Sequence, residues 1–153
     1  MIEGECYLCG SRILDGWSIC FQCVKELENT PMTVYKECKI EIAHKIEGHE
    51  KCGNIHGHTV KVIVGIRGIM NPESGMVIDF NTVKHYMQKE IIDRFDHKYL
   101  NDTMPIPTAE FLAFFIFNKL NYSPLVSSGH RVVMIRVHET ENNYVEYTGN
   151  DDV

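Results

Sequence analysis

Cys52-Gly-Asn-Ile-His56-Gly-His58-Thr-Val60-Lys-Val62-Ile-Val64-Gly-Ile66-Arg67 is the stretch on which the reading of this chain turns. From His56 onward the even positions His56, His58, Val60, Val62, Val64 and Ile66 fall on one side, with Lys61 and Arg67 on the other, which is the two-residue period of a strand with one buried face. The same alternation precedes it: Cys38, Ile40, Ile42 and His44 share a face between Val34 and His44, opposite Lys39 and Glu41. Two half-buried strands are therefore joined by a loop from Gly48 to Gly57, and each carries histidine on its apolar face beside that loop.

The rest of the chain continues the pattern in a different period. Val83, Met87, Ile91 and Phe95 recur near helical spacing after Asn81, the expected cap, and Phe111, Leu112, Phe115 and Leu120 do so after Pro107 and the cap candidate Thr108. Val133, Ile135, Val137 and Glu139 read as one face of a third strand, and Asn142-Asn143 as a turn into a fourth at Val145 to Thr148. The order ββααββ specifies an α+β fold, an antiparallel four-stranded sheet with both helices on one face. The outer strands of such a sheet present open edges, a liability that oligomerisation removes.

With 153 residues and 44% hydrophobic content, the chain supports one main domain and a small appendage. We place the boundary after residue 30, with Asn29-Thr30-Pro31 as linker, giving an extension over 1–30 and the main domain over 31–153. A start with Glu3 and Glu5 and no basic residues is unlike a secretory signal, and the apolar runs are too short for a membrane span, so a soluble cytoplasmic protein is expected. The net charge of −6 disfavours a protein built to grip nucleic acid.

Four of the six cysteines crowd the extension as Cys6-Tyr-Leu-Cys9 and Cys20-Phe-Gln-Cys23, around a turn at Gly16. Paired Cys-x-x-Cys knuckles supply the four thiolates of a structural zinc site, a ribbon-like arrangement. Five acidic against two basic residues leave this segment at a net −3, again unlike a nucleic-acid binder. It is expected to be dispensable for the chemistry and to display Trp17 or Phe21 for packing on the assembly or on a pathway partner.

His44, His56 and His58 form the second candidate metal group. A single buried imidazole is ordinarily a hydrogen-bonded core residue, but three at converging strand ends match the three-histidine catalytic zinc site with an open position. Spacing leaves Cys52 with two roles, a fourth ligand or a free thiol acting as base or nucleophile. Asp96-His97 is a carboxylate–imidazole pair at a helix end, able to move protons or merely to answer the helix dipole. Glu139 on an apolar face calls for a cationic or donor-rich partner, and Glu110 opens the second helix. Asp79, Cys38 and His49 read as turn, core and loop.

Taken together, Ala43-His44, Cys52 through His58, Gly75-Met-Val-Ile-Asp-Phe80, Asp96-His-Lys-Tyr-Leu-Asn101, Pro107-Thr-Ala-Glu110 and Glu139-Thr140 resemble the 6-pyruvoyltetrahydropterin and 6-carboxytetrahydropterin synthase family, in order, over about residues 33 to 149. The resemblance implies a tunnelling fold, with trimers of ββααββ units closing a barrel and two trimers stacking into a homohexamer. It implies catalytic zinc on His44, His56 and His58, Cys52 as base, and Asp96 and His97 as a proton relay reaching across a subunit interface. Thr108, Glu110 and Glu139 would line the pterin pocket, Glu139 anchoring the ring. The implied substrate is 7,8-dihydroneopterin triphosphate. The Cys52-x3-His56 spacing resembles the carboxy enzyme of 7-deazaguanine (queuosine or archaeosine) biosynthesis, which releases acetaldehyde; the stretch from Glu139 to Tyr147 resembles the animal pyruvoyl enzymes, which eliminate triphosphate without cleaving the side chain. A different class of reading is a zinc-binding module with a pterin-like fold and no catalysis. The N-terminal cysteines lie outside the resemblance.

Overall fold

A computed structural model describes residues 4–13, 18–126 and 129–149 of the chain; Gly16 and Trp17 lie outside the described residues. Strands β1 (Gly4–Glu5) and β2 (Arg12–Ile13) pair antiparallel, and helix α1 (Phe21–Glu28) follows. The long hairpin of β3 (Pro31–His44) and β4 (His56–Ile69) comes next, so the expected linker shortens to Asn29 and Thr30, because Pro31 already pairs with Ile69. Then come helix α2 (Phe80–Met87), a π-helical turn (Gln88–Ile92), helix α3 (Asp93–Phe95), strand β5 (Lys98–Tyr99), helix α4 (Ala109–Asn121), and strands β6 (Arg131–His138) and β7 (Tyr144–Tyr147).

The main sheet has the order β5-β3-β4-β6-β7. It is the expected antiparallel four-stranded sheet with one addition: β5 joins β3 in parallel through Ile42 and Ala43 alone. That leaves most of the β3 edge, and the whole outer edge of β7, without a strand partner among the described residues. No described helix is long and apolar enough to cross a membrane.

The core lies between the helices and one sheet face. Ile40, Ile42, Val60, Val62, Val64 and Ile66 are buried there, as their alternation predicts, against Val83, Met87, Ile91 and Phe95. Those four helical residues are each four apart, and in a regular α-helix each such step drifts about 40° around the axis. The π turn between Met87 and Asp93 takes up that drift, so one stripe stays on the sheet from Val83 to Phe95. On α4 the buried stripe is Leu112, Ala113, Ile116 and Leu120, with Phe111 and Phe115 only partly covered.

Two local expectations are corrected. The cap of α2 is Asp79, whose carboxylate accepts from the Asn81 N–H at 2.8 Å, rather than Asn81. Asx side chains serve equally at either position, and Phe80 already has helical backbone here. On β6 the register shifts opposite Gly65 and Ile66: Met134 pairs with Gly65 and Val132 with Ile66, which skips Val133. This bulge turns Val132 inward (3% exposed) and takes Val133 off the face it shares by count with Ile135 and Val137.

Candidate metal centre

The register of the hairpin sets the site. His44, the last residue of β3, pairs with His56, the first of β4, and His58 faces Ile42. All three rings project from the buried face, their centroids 4.5, 5.0 and 5.2 Å apart, and one nitrogen from each lies within 4.8 Å of the other two. Backbone carbonyls orient two of them: His44 Nδ1 sits 2.6 Å from the Pro107 carbonyl and His56 Nδ1 2.8 Å from that of Asn54. A carbonyl accepts only from N–H, so the proton is on Nδ1 and the lone pair of Nε2 faces the cluster. Burial lowers the His58 pKa, partly offset by Glu139, which favours the neutral, ligating form.

His44 Nε2 and His58 Nε2 are buried with no hydrogen-bond partner. Each orphaned group costs about 1–3 kcal/mol, and two orphans aimed at one point make no sense as core packing. A metal ion between them satisfies both, and three imidazoles leave one tetrahedral position open. The donor set therefore fits a catalytic metal. Glu139 stands beside that point, its Oε1 3.6 Å from His44 Nε2 and 4.0 Å from His58 Nε2, beyond hydrogen-bond length. Glu139 lies just past β6, held by its N–H to the Asn143 carbonyl at 3.1 Å.

Cys52 sits in the loop between β3 and β4, half-buried, and its sulfur is not in the nitrogen group. The loop is wound tightly around it: Ile46 N–H donates to the Cys52 carbonyl at 2.8 Å, and Cys52 N–H donates to His49 Nδ1 at 2.9 Å. Gly53 is required, since a Cβ there would stand 2.6 Å from the His49 carbonyl oxygen. At the base of the loop Asn101 clamps Lys45, accepting from its N–H and donating to its carbonyl, both at 3.0 Å.

Thr108 caps α4, its Oγ1 accepting from Phe111 N–H at 3.3 Å, and with His44, Pro107 and Glu139 it lines a narrow crevice. Glu110 is exposed in the first turn of α4 and does not line that crevice. Asp96 and His97 bind the edge of β3: Asp96 Oδ1 accepts from Glu41 N–H at 2.8 Å, and His97 N–H donates to the Glu41 carbonyl at 2.7 Å. His97 adopts φ +56°, a left-handed backbone rare for a residue with a Cβ, and its side chain is 79% exposed, 3.8 Å from Asp96 Oδ2. Within one chain neither residue joins the imidazole group.

Pro107, Asn54, His49 and Asn101 complete the surroundings, and the sequence assigns none of them a task at the site: His49 reads there as a loop residue. All four act through backbone carbonyls or on backbone groups, which leave no mark in a side-chain pattern. Asn101 takes its task from its contact with Lys45.

A second donor group forms in the extension, where Cys6, Cys9, Cys20 and Cys23 bring their sulfurs within 4.8 Å of one another. Cys20 N–H donates to Cys6 Sγ at 3.2 Å and holds that thiol's pKa down to about 6, against the cost of burial. Cys38, packed against the core, goes the other way: burial, with Asp96 nearby, pushes it up to about 11.

A profile described as 6-pyruvoyl tetrahydropterin synthase matches residues 33–150. A Haemophilus influenzae protein named 6-carboxy-5,6,7,8-tetrahydropterin synthase is 34% identical over 140 residues, 74% of this chain and 96% of that one. An Archaeoglobus fulgidus protein, provisionally given the same name, is 42% identical over 104 residues, 68% of this chain and 84% of its own. The structure of Caenorhabditis elegans 6-pyruvoyl tetrahydropterin synthase superposes with a TM-score of 0.69 at 26% identity, covering 79% of this chain and 97% of that one.

Proposed function

This chain belongs to the 6-pyruvoyl tetrahydropterin synthase family and is an enzyme of the lyase type with a tunnelling fold; we propose that it converts 7,8-dihydroneopterin triphosphate and water to 6-carboxy-5,6,7,8-tetrahydropterin, acetaldehyde and triphosphate. The observation that carries this reading is the meeting of three imidazoles, two with buried unpartnered Nε2 atoms, beside the carboxylate of Glu139. The names of the Haemophilus and Archaeoglobus relatives and the Cys52-x3-His56 spacing favour the carboxy product.

In this reading His44, His56 and His58 hold zinc by Nε2, with Pro107 and Asn54 fixing the first two rings. Bound there, zinc supplies Lewis acidity to the side-chain hydroxyls of the substrate, lowering the pKa of the groups they sit on. Glu139 accepts from the amino and N–H edge of the pterin and Thr108 borders the same crevice, while Glu110, exposed outside that crevice within one chain, is assigned to the outer rim of the pterin site. Cys52 acts as the base that takes a proton from the substrate side chain, and the Asp96–His97 pair passes protons to and from it as triphosphate leaves. Splitting a dicarbonyl side chain into a ring carboxyl and acetaldehyde consumes the one water.

Since Asp96 and His97 stand apart from the imidazoles within one chain, the relay comes from a neighbouring copy in a homohexamer of two trimers. The unpartnered edges of β3 and β7 support that assembly. The cofactor count is two zinc ions per chain, one at the imidazoles and one at the four cysteines of an extension over residues 1–30, separate from a catalytic domain over 31–153. We place the enzyme in the cytoplasm, where a thiol such as Cys52 stays reduced.

A second reading ends at 6-pyruvoyltetrahydropterin; the likeness to the Caenorhabditis structure and the Glu139–Tyr147 stretch favour it. Product analysis decides. Zinc-loaded protein given the triphosphate should release acetaldehyde and the 6-carboxy product, whereas accumulation of the pyruvoyl compound without acetaldehyde would replace the first reading by the second.

A further inference from the structure

The family match starts at residue 33, so the extension owes nothing to it. What holds β1, β2 and α1 together is unusual. Among the extension's described residues the buried ones are three cysteines, Cys6 at 2% and Cys20 and Cys23 at 8% exposure, with Ile13 and Ile19 partly buried against them. The side chains between the cysteines point outward instead, Tyr7 at 85%, Leu8 at 64% and Phe21 at 71% exposure. Two strands of two residues and a helix of eight are the regular structure among the extension's described residues. A helix of that length is not stable by itself, and segments below about 40 residues usually need a metal, disulfides or oligomerisation to fold.

The sulfurs are spaced for a metal. A tetrahedron with metal–sulfur bonds of about 2.3 Å has sulfur–sulfur edges of about 3.8 Å, and here Cys6 and Cys23 are 3.9 Å apart and Cys9 and Cys20 3.5 Å. Disulfide sulfurs would stand about 2.05 Å apart, and all four cysteines are free. The backbone is shaped around the group as well. Gly10, at φ +73°, closes the first knuckle with its N–H on the Cys6 carbonyl at 2.8 Å, and Tyr7 N–H reaches the Ser18 carbonyl at 3.0 Å, tying the first knuckle to the segment leading into the second. Cys20 immediately precedes α1, and Cys23 lies in its first turn, so the helix starts at the site.

We propose that Cys6, Cys9, Cys20 and Cys23 form a closed tetrathiolate site for one Zn2+, and that binding this ion is what folds β1, β2 and α1. The proposal rests on the two-zinc reading above and goes past it. The ion takes the place of the missing core: α1 and the β1–β2 hairpin fold around it, while the sheet domain stands on its own packing. Four protein ligands leave no position for substrate or water, so the site is structural rather than catalytic.

The test uses the full chain. Metal analysis should give two zinc ions per chain, and the double variant Cys6→Ser, Cys20→Ser should give one. Cobalt loading of wild-type protein should add the intense sulfur-to-metal charge-transfer absorption of a tetrathiolate, absent from that variant. Hydrogen exchange should then show the amides of Phe21–Glu28 losing protection by on the order of a hundredfold or more on chelation, while those of β3 and β4 keep theirs. One zinc in the wild-type chain, or iron or disulfides at the four cysteines, overturns the two-zinc reading. Two zincs with unchanged protection of Phe21–Glu28 after chelation keep that reading and overturn the folding proposal.

Discussion

The chain gathers metal donors in two places, and the two are held in opposite ways. The imidazoles of His44, His56 and His58 project from strands of fourteen residues backed by a core that reaches from Ile40 to Val137. Among the described residues of their segment, Cys6, Cys20 and Cys23 are the buried ones, with Cys9 exposed beside them. The imidazoles rest on a packed sheet and offer three ligands, which leaves a fourth position open; the cysteines offer four ligands and, among the described residues, have little else buried around them. A site that must bind substrate is best placed on elements that do not depend on the metal for their shape. A site that only staples needs no such support.

The largest expected effect tests whether the histidine group is open in the way the cysteine group is closed. Cys52→Ala should lower kcat by at least about a hundredfold, the usual worth of a positioned general base, with the zinc content unchanged. Loss of the histidine-bound ion on that substitution would make Cys52 a fourth ligand and erase the contrast. Full activity of the variant would favour a binding module over an enzyme that uses this thiol.

Glu139 sharpens the same contrast at smaller scale. Its carboxylate lies near the imidazoles but beyond bonding distance, so it is assigned to the pterin edge rather than to the ion. Glu139→Gln keeps the shape and removes the charge, and a charge-assisted hydrogen bond is worth about 1.5–3 kcal/mol. The variant should lose roughly 10- to 150-fold in kcat/KM, mostly through KM, and keep its zinc. Metal loss with unaltered KM would reverse the assignment.

Both donor groups were legible in the sequence because strand alternation and paired knuckles are side-chain patterns. The even positions of β4 put His56 and His58 on the face of Val60 and Val62, and burial follows that parity through Ile66. Parity failed where backbone intervened, at the bulge that takes Val133 off its face, and at the Asp79 cap one residue before Phe80. It also says nothing of contacts made by carbonyls: Pro107 and Asn54 set the imidazole tautomers from 63 and 2 residues away. Likewise Asp96 and His97 grip the backbone of Glu41, Asp96 with its carboxylate across 55 positions and His97 with its own N–H, and the Glu41 groups they hold are ones that every residue possesses.

The smallest effect concerns the histidine group stripped of metal, where its scaffold is expected to survive. In the folded chain burial lowers the His58 pKa below its ordinary 6.5, and Glu139 only partly offsets this. Unfolding returns the imidazole to water and to that ordinary value. Below about pH 6.5 the unfolded chain therefore binds a proton that folded His58 resists, so stability falls as pH falls through and below that value. Above it both forms are neutral, and the contribution vanishes. Chelated protein should accordingly show a Tm that is flat in His58's contribution above about pH 7 and declines on acidification, and His58→Gln should decline less steeply over the same range. Carboxylates titrate in both proteins, so the difference between the two curves isolates the imidazole. Identical slopes would mean that folded His58 takes up its proton as readily as the free side chain does, and that its buried nitrogen is not held ready for a metal.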